Sequence, residues 1–392
     1  MRVLSEEWRN MGHRVIVFYP CSSRKRVSEL NLNDDVYSFY FPDKKKYKLF
    51  LNQLDECHTS FIRKLKCSFI HPLSAIEFLL RRTPFFKIYF DESHIIKRET
   101  EKAVRKYKVD IVFSGSNPFF FPLGLARAKV NCKRIWFQMD PHASNGMMSA
   151  KSAKREFAKE RIVYECMDRI FVQPNSYKDI IDNLNTETRL KVFASKFPLI
   201  IPDSDVIPDK SYFSSNTVNC VYAGALMLPI RRPDYLFKIF SLFNNTSIRL
   251  YIWSGNLSKT MEEEIKSMLP SNVLYCGSLP QREMQAVLAG ADILVNIGNT
   301  ITNQLPSKLL DYMSLKKPIL NIYKIDECPT LEILKDYPLS ISVSENENVE
   351  MASRKIENFI LSNIGESVDV ETVKKYYRDY FPSSVAEYML ET

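Results

Sequence analysis

From residue 218 onward, short apolar runs rich in β-branched and aromatic residues alternate with amphipathic stretches. The runs are "VNCVYA", "SIRLYIW", "NVLYCG", "DILVNIG", "PILNIY" and "LSISVS". Strands covered on both faces read as near-continuous apolar segments, so this alternation predicts a doubly wound parallel sheet with helices between its strands. Between the first two runs, "RRPDYLFKIFSLF" places Leu236, Ile239, Phe240 and Phe243 at i, i+3, i+4 and i+7 behind Pro233. That spacing predicts a helix with Pro233 in its first turn and Arg231 and Arg232 at its entrance. The first half shows the same grammar less cleanly, with "HRVIVFYP", "VDIVFSGS", "KRIWFQMD", "DRIFVQ" and "LKVFAS" as expected strands of a second Rossmann-like unit. Between the halves, "FPLIIPDSDVIPDKSYFSSN" carries three prolines among clustered polar residues and reads as a linker. The expected organisation is an N-terminal domain over residues 1–202, a linker over 203–216 and a C-terminal domain over 217–392.

Two stretches break the alternation. Residues 44–90 hold basic and aromatic material, "KKKYKLF", "FIRKLKCSFIHPLSAIEFLLRR" and "TPFFKIYF", which reads either as helices laid on an anionic membrane or as ordinary amphipathic helices. At the start, "LSEEWRNMG" has a helical pattern and is followed by a strand, whereas a Rossmann-like unit opens with a strand and a turn before its first helix. The first strand of this unit is therefore expected to be missing. The expectation that follows is an internal start, with about 15–20 further residues in the native protein, enough for a strand and a turn.

Composition narrows the picture. A chain of 392 residues is long for one core and comfortable for two. Its net charge of +8 is unevenly spread: residues 1–200 carry 36 Lys and Arg against 22 Asp and Glu, and the remainder 18 against 24. The basic first half favours an anionic partner, either phosphorylated lipid and membrane surface or nucleic acid. The eight cysteines show no CxxC spacing, and several sit inside apolar runs, as free thiols in a reducing compartment do. No apolar stretch approaches a membrane span and the charged opening "MRVLSEEWRN" is no signal peptide, so a cytoplasmic location is expected.

Chemistry concentrates where strands of the second half end. "NTITNQLPSKLLDYM" follows the run "ADILVNIG" and puts Pro306, Ser307, Lys308 and Asp311 at the start of a helix. Lys308 and Asp311, three residues apart, share one helical face and can address one ligand or simply pair with each other. A nucleoside diphosphate would use them separately, lysine against phosphate and carboxylate against ribose. After the first strand, "YAGALMLPIRRPDYL" offers Gly224 for a close turn and Arg231 or Arg232 for a diphosphate. The "DSD" at 203–205 imitates a metal-binding motif but lies in the proline-rich linker, and the five histidines lack metal-ligand spacing, so no metal is implied.

These stretches carry a resemblance. "VYAGALMLPIRRPDYLFKIF", "NVLYCGSLPQREMQAVLAGADILVNIG" and "LPSKLLDYMSLKKPIL", in that order, resemble the donor-binding half of the group 1 (family 4-like) glycosyltransferases, and "WRNMGHRVIVFYP", "VDIVFSGSNPFFFPLGLARA" and "IWFQMDPHAS" are similar to that family's acceptor half. The resemblance implies a GT-B fold, two Rossmann-like domains facing a cleft, with the first strand central in the acceptor sheet. It implies transfer of a sugar from a nucleotide-diphosphate donor to a saccharide or lipid-linked saccharide in cell-surface polysaccharide synthesis, without a metal, cofactor or nucleic acid. Arg231 or Arg232 and Lys308 would bind the diphosphate. Asp311 would hold ribose, and Asn303 would stand where the family carries a glutamate, able to hydrogen-bond the sugar but not to supply charge. In "FQMDPHASN", Asp140 would orient or deprotonate the acceptor hydroxyl with His142 beside the substrate, although an Asp-Pro pair also suits a plain turn. An inactive nucleotide-sugar binder and a sugar-nucleotide epimerase of the same architecture are the alternatives.

Overall fold

A computed structural model describes residues 2–31, 34–41, 91–144, 150–199, 206–226, 230–255 and 257–392. The basic-aromatic tract at 44–90 and the Asp-Ser-Asp at 203–205 lie outside these residues. The chain divides into two compact units, Met1–Ala143 with Ala150–Phe171 and Asn185–Phe193, and Ser144–Ser149 with Val172–Leu184 and Ala194–Thr392.

The second unit contains α6 (Pro174–Asp182) and then β7 (Val218–Ala223), α7 (Asp234–Ser241), β8 (Ile248–Trp253), α8 (Lys259–Ser267), β9 (Val273–Gly277), α9 (Gln281–Gly290), β10 (Ile293–Ile297), α10 (Lys308–Ser314), β11 (Ile319–Tyr323), α11 (Pro329–Leu334), β12 (Ser340–Ser344), α12 (Val349–Ser362), α13 (Val370–Tyr377) and α14 (Pro382–Glu391). Its six strands pair in parallel in the order β12-β11-β10-β7-β8-β9. Counted from β7, this is the doubly wound order whose direction reverses between the first and fourth strands, β7 and β10. Alternate residues feed opposite cores: Val221, Tyr251 and Leu294 pack on one face, Cys220, Leu250 and Ile293 on the other. Both faces being covered is why the inner strands β7, β8, β10 and β11 appear in the sequence as near-continuous apolar runs, while the edge strands β9 and β12 are partly exposed. Pro233 stands at the N-cap of α7, not inside its first turn, and Phe243 packs from beyond the helix end.

The first unit runs α1 (Arg2–Asn10), β1 (Val17–Cys21), α2 (Arg24–Leu30), β2 (Val36–Tyr40), α3 (Glu92–Tyr107), β3 (Ile111–Gly115), α4 (Phe120–Arg127), β4 (Lys133–Gln138), α5 (Ala150–Cys166), β5 (Arg169–Val172) and β6 (Val192–Ala194). Strand β2, "VYSFY", escaped the sequence reading; it pairs in parallel with β1 and is fastened to α3 by the Tyr37 hydroxyl, which donates to Glu99 at 2.9 Å. The sheet is split, with β1-β2 forming one piece and β3-β4-β5-β6 the other. In doubly wound order the place of a first strand falls between β1 and β3. No described strand stands there, and the flanking residues are correspondingly bare: Val17 is 37% exposed, Tyr19 41% and Ile111 39%, whereas every residue of β10 is buried. Pro20 within β1 fits this exposed edge, since proline cannot donate to a further ladder. Helix α1 packs against β3, with Trp8 set edge-on to Phe113 at 4.9 Å. Among the described residues, no helix is long and apolar enough to cross a membrane.

Candidate functional site

In an open α/β sheet, ligands bind beyond the carboxyl ends of the strands where the strand order reverses. In the second unit that place lies beyond β7 and β10. Gly224 follows β7 directly, and a Cβ there would stand 3.1 Å from the Tyr222 hydroxyl and 3.7 Å from Arg231 Nη1, so the turn is tight against the tyrosine and in contact with the guanidinium. Arg231 is buried: Nη1 donates to the Ala225 carbonyl at 3.0 Å and Nη2 to Asn299 Oδ1 at 2.6 Å, while Nε has no protein partner among the described residues. Asn299, from the loop after β10, is therefore the residue that aims Arg231; its own amide is fixed by donation to the Gln304 carbonyl at 2.9 Å. Tyr312 of α10 closes the arrangement, its hydroxyl accepting from Ala223 N–H at 2.8 Å and thereby tying α10 to the end of β7.

Arg232 is turned away. It is held by Asp234 at 2.8 Å and Glu264 at 3.1 Å on the exposed surface. The structure thus separates two adjacent arginines that the sequence left equivalent. Lys308 and Asp311 meet each other, Nζ to Oδ2 at 3.2 Å, both well exposed. Such an exposed pair contributes about 1 kcal/mol or less, so little opposes redirecting Nζ to a phosphate. Ser307 is the N-cap of α10 and makes no side-chain capping bond. In the same unit the Thr302 carbonyl accepts from Asn175 at 2.7 Å, and Asn303 Nδ2 donates to the Ser144 carbonyl at 3.1 Å. Asn303 Oδ1 is buried without a protein partner among the described residues, so it can still accept from a ligand hydroxyl.

In the first unit, Asp140 and His142 follow β4 in a segment suspended from several sides. Ser116 donates to the Phe137 carbonyl at 3.0 Å and accepts from Met139 N–H at 2.6 Å. The His142 ring stacks on Phe119, centroids 3.9 Å apart and 5° from parallel, and its Nε2 lies 3.2 Å from Glu156 Oε2. Burial pushes the Glu156 carboxyl up, but hydrogen bonds from Lys159 and His142 and their charges outweigh it and hold the group below its ordinary value. Asp140 shows the reverse: burial alone pushes its carboxyl above the usual range. Glu160 of α5 is 2% exposed and accepts from His142 N–H at 2.9 Å, Ala143 N–H at 3.3 Å and Gln138 Nε2 at 2.6 Å.

The structure brings Gly224 and Arg231 together, pairs Lys308 with Asp311, sets Asn303 against Ser144 and leaves Arg232 and Ser307 apart from these contacts. Sequence reasoning missed Asn299, Tyr312, Phe119, Glu156 and Glu160. A signal existed for Glu160, because it recurs with buried Val163, Tyr164 and Met167 at i, i+3, i+4 and i+7, an acid on an apolar helical face. Asn299 was visible only as a polar residue just beyond a strand end.

No protein-family model matches this chain, and no curated protein sequence matches it. Solved structures do. A glycosyltransferase from Rickettsia africae superposes with a TM-score of 0.61 at 12% identity, over 100% of this chain and 92% of the other. Sucrose-phosphate synthase from Thermosynechococcus elongatus gives 0.64 at 10% identity, over 100% and 90%. HepE from Anabaena, solved in complex with UDP-glucose, gives 0.57 at 11% identity, over 97% and 99%. These likenesses show the fold, two Rossmann-like α/β units of the GT-B type.

Proposed function

We propose that this protein is a glycosyltransferase that moves a sugar from a nucleotide-diphosphate donor to a saccharide or lipid-linked saccharide. The observation that carries the reading is Arg231: a buried guanidinium aimed by Asn299 at the point where the strand order reverses, with one donor nitrogen unused among the described residues. Breaking the bond between sugar and diphosphate leaves negative charge on the distal phosphate. Preorganised cations stabilise that charge in the transition state, and Arg231 and Lys308 supply them without a metal ion. Asp311 and Asn303 then serve ribose and sugar hydroxyls. A fold relative holding UDP-glucose supports a donor of that class, and the basic balance of residues 1–200 suits an anionic, lipid-diphosphate-linked acceptor in cell-surface polysaccharide synthesis.

Melting in the presence of UDP and of a panel of UDP-, GDP- and ADP-sugars tests the reading. A cognate donor at 100 times its Kd adds about 2.7 kcal/mol to stability and raises Tm by several degrees. No shift with any donor, and no nucleotide released on prolonged incubation, would rule the proposal out.

Asp140 gives it a pH signature. A general base works only when ionised, and burial holds this carboxyl protonated to higher pH than an ordinary aspartate. On the acid side, kcat/KM should therefore rise about tenfold per pH unit until it levels above the usual aspartate value of about 3.9. Asp140→Asn should lower activity and flatten that limb. An acid limb that survives the substitution unchanged assigns the titration to another group.

A further inference from the structure

We infer that Glu160 is a positioning residue for the transfer reaction, a buried carboxylate that hangs the segment bearing Asp140 and His142 from helix α5. This rests on the glycosyltransferase reading for its chemistry, though not for its geometry. Three donors converge on the one carboxylate: Gln138 Nε2 from the last residue of β4, and the main-chain N–H groups of His142 and Ala143. They bracket Asp140 on both sides. Gln138 is itself buried and fixed at its other end, its Oε1 accepting from the Tyr164 hydroxyl at 2.7 Å one helical turn along α5. The His142 ring is held separately, between Phe119 and Glu156. Glu160 thus sets the main chain, Glu156 and Phe119 set the imidazole, and the Asp140 carboxyl is carried by a backbone that Glu160 anchors. Burying a carboxylate this completely is costly unless its lone pairs are filled, and here N–H groups of the segment it holds fill them. The same fold could be built with an apolar residue at this position of the helix, so the acid is explained by what it grips.

Glu160→Gln tests this, because the amide keeps the shape but turns one acceptor into a donor facing N–H groups. The expected result is at least tenfold faster amide exchange of His142 and Ala143. It should come with a kcat lower by about 10²-fold, the scale of a roughly 1 Å misplacement of reacting groups. The affinity for UDP should stay within about twofold, since the proposed nucleotide groups belong to the other unit. Tyr164→Phe, which removes only the outer support of Gln138, should leave kcat within about threefold. If Glu160→Gln lacks a melting transition, Glu160→Asp, which keeps the charge but withdraws it by one methylene, takes the same readouts. Unchanged exchange, or unchanged kcat despite faster exchange, overturns the inference. A wild-type protein that turns over no nucleotide sugar would remove the glycosyltransferase reading instead, and exchange in the variants would still decide whether Glu160 holds the segment.

Discussion

Replacing Lys308 by alanine should lower kcat by about 10²- to 10³-fold and leave the protein folded. Among the described residues, Nζ forms its ion pair with Asp311, at 3.2 Å on the exposed face of α10. Losing an exposed pair changes stability by about 1 kcal/mol at most, so Tm should scarcely move. Catalysis is another matter if Nζ swings to the leaving diphosphate. A cation at developing negative charge is worth roughly 3–4 kcal/mol by the scale of oxyanion-stabilising donors, which gives the stated loss. Because the charge grows only in the transition state, kcat and kcat/KM should fall together while affinity for the free nucleotide changes less. Asp311→Ala breaks the same pair from the other side, but should weaken nucleotide binding before it slows turnover, since a carboxylate helps ribose and not phosphate. Steady-state kinetics and nucleotide titration of both variants separate the two roles. Near-wild-type turnover in Lys308→Ala would reduce the pair to a helix-surface contact.

Gly124→Ala should destabilise the first unit by about 1–3 kcal/mol. Helices α3 and α4 approach so closely there that a Cβ on Gly124 would lie 2.5 Å from Ile96 Cβ and 2.8 Å from the Ser93 carbonyl. In an unconstrained helix alanine would be preferred by up to about 1 kcal/mol, so the sign depends on whether the neighbours can yield. They are pinned. Ser93 is fully buried and its hydroxyl donates to Asp91 at 2.7 Å, Arg127 bonds both Asp91 and Ser93, and Ile96 is 1% exposed. Overpacking therefore outweighs propensity. For a unit of this size the loss corresponds to a fall of a few degrees in Tm for each kcal/mol. UDP binding, proposed for the second unit, should persist at temperatures below the transition. A melting temperature equal to or above wild type would show that the two helices can separate without cost.

Strands β7, β8, β10 and β11 were legible in the sequence because an inner parallel strand is covered on both faces by mostly apolar neighbours, and that requirement is written into consecutive residues. Lys308 and Asp311 were legible as a pair for a similar reason, since a spacing of three on a helix puts two side chains on one face wherever the helix lies. Strand β2 was lost beside the basic tract because five residues of "VYSFY" carry little periodicity. What the sequence could not decide is anything set by partners far along the chain. Arg231 and Arg232 are neighbours in a loop, where no period assigns one inward and one outward. The choice is made by Asn299, 68 residues later, and by Asp234 and Glu264 on the opposite side. Glu160 likewise acquires a purpose only when β4 brings Gln138, 22 residues earlier, against its carboxylate. Periodicity is local and therefore readable along the chain; the satisfaction of a buried charge is not local, and tertiary packing alone determines which donors reach it.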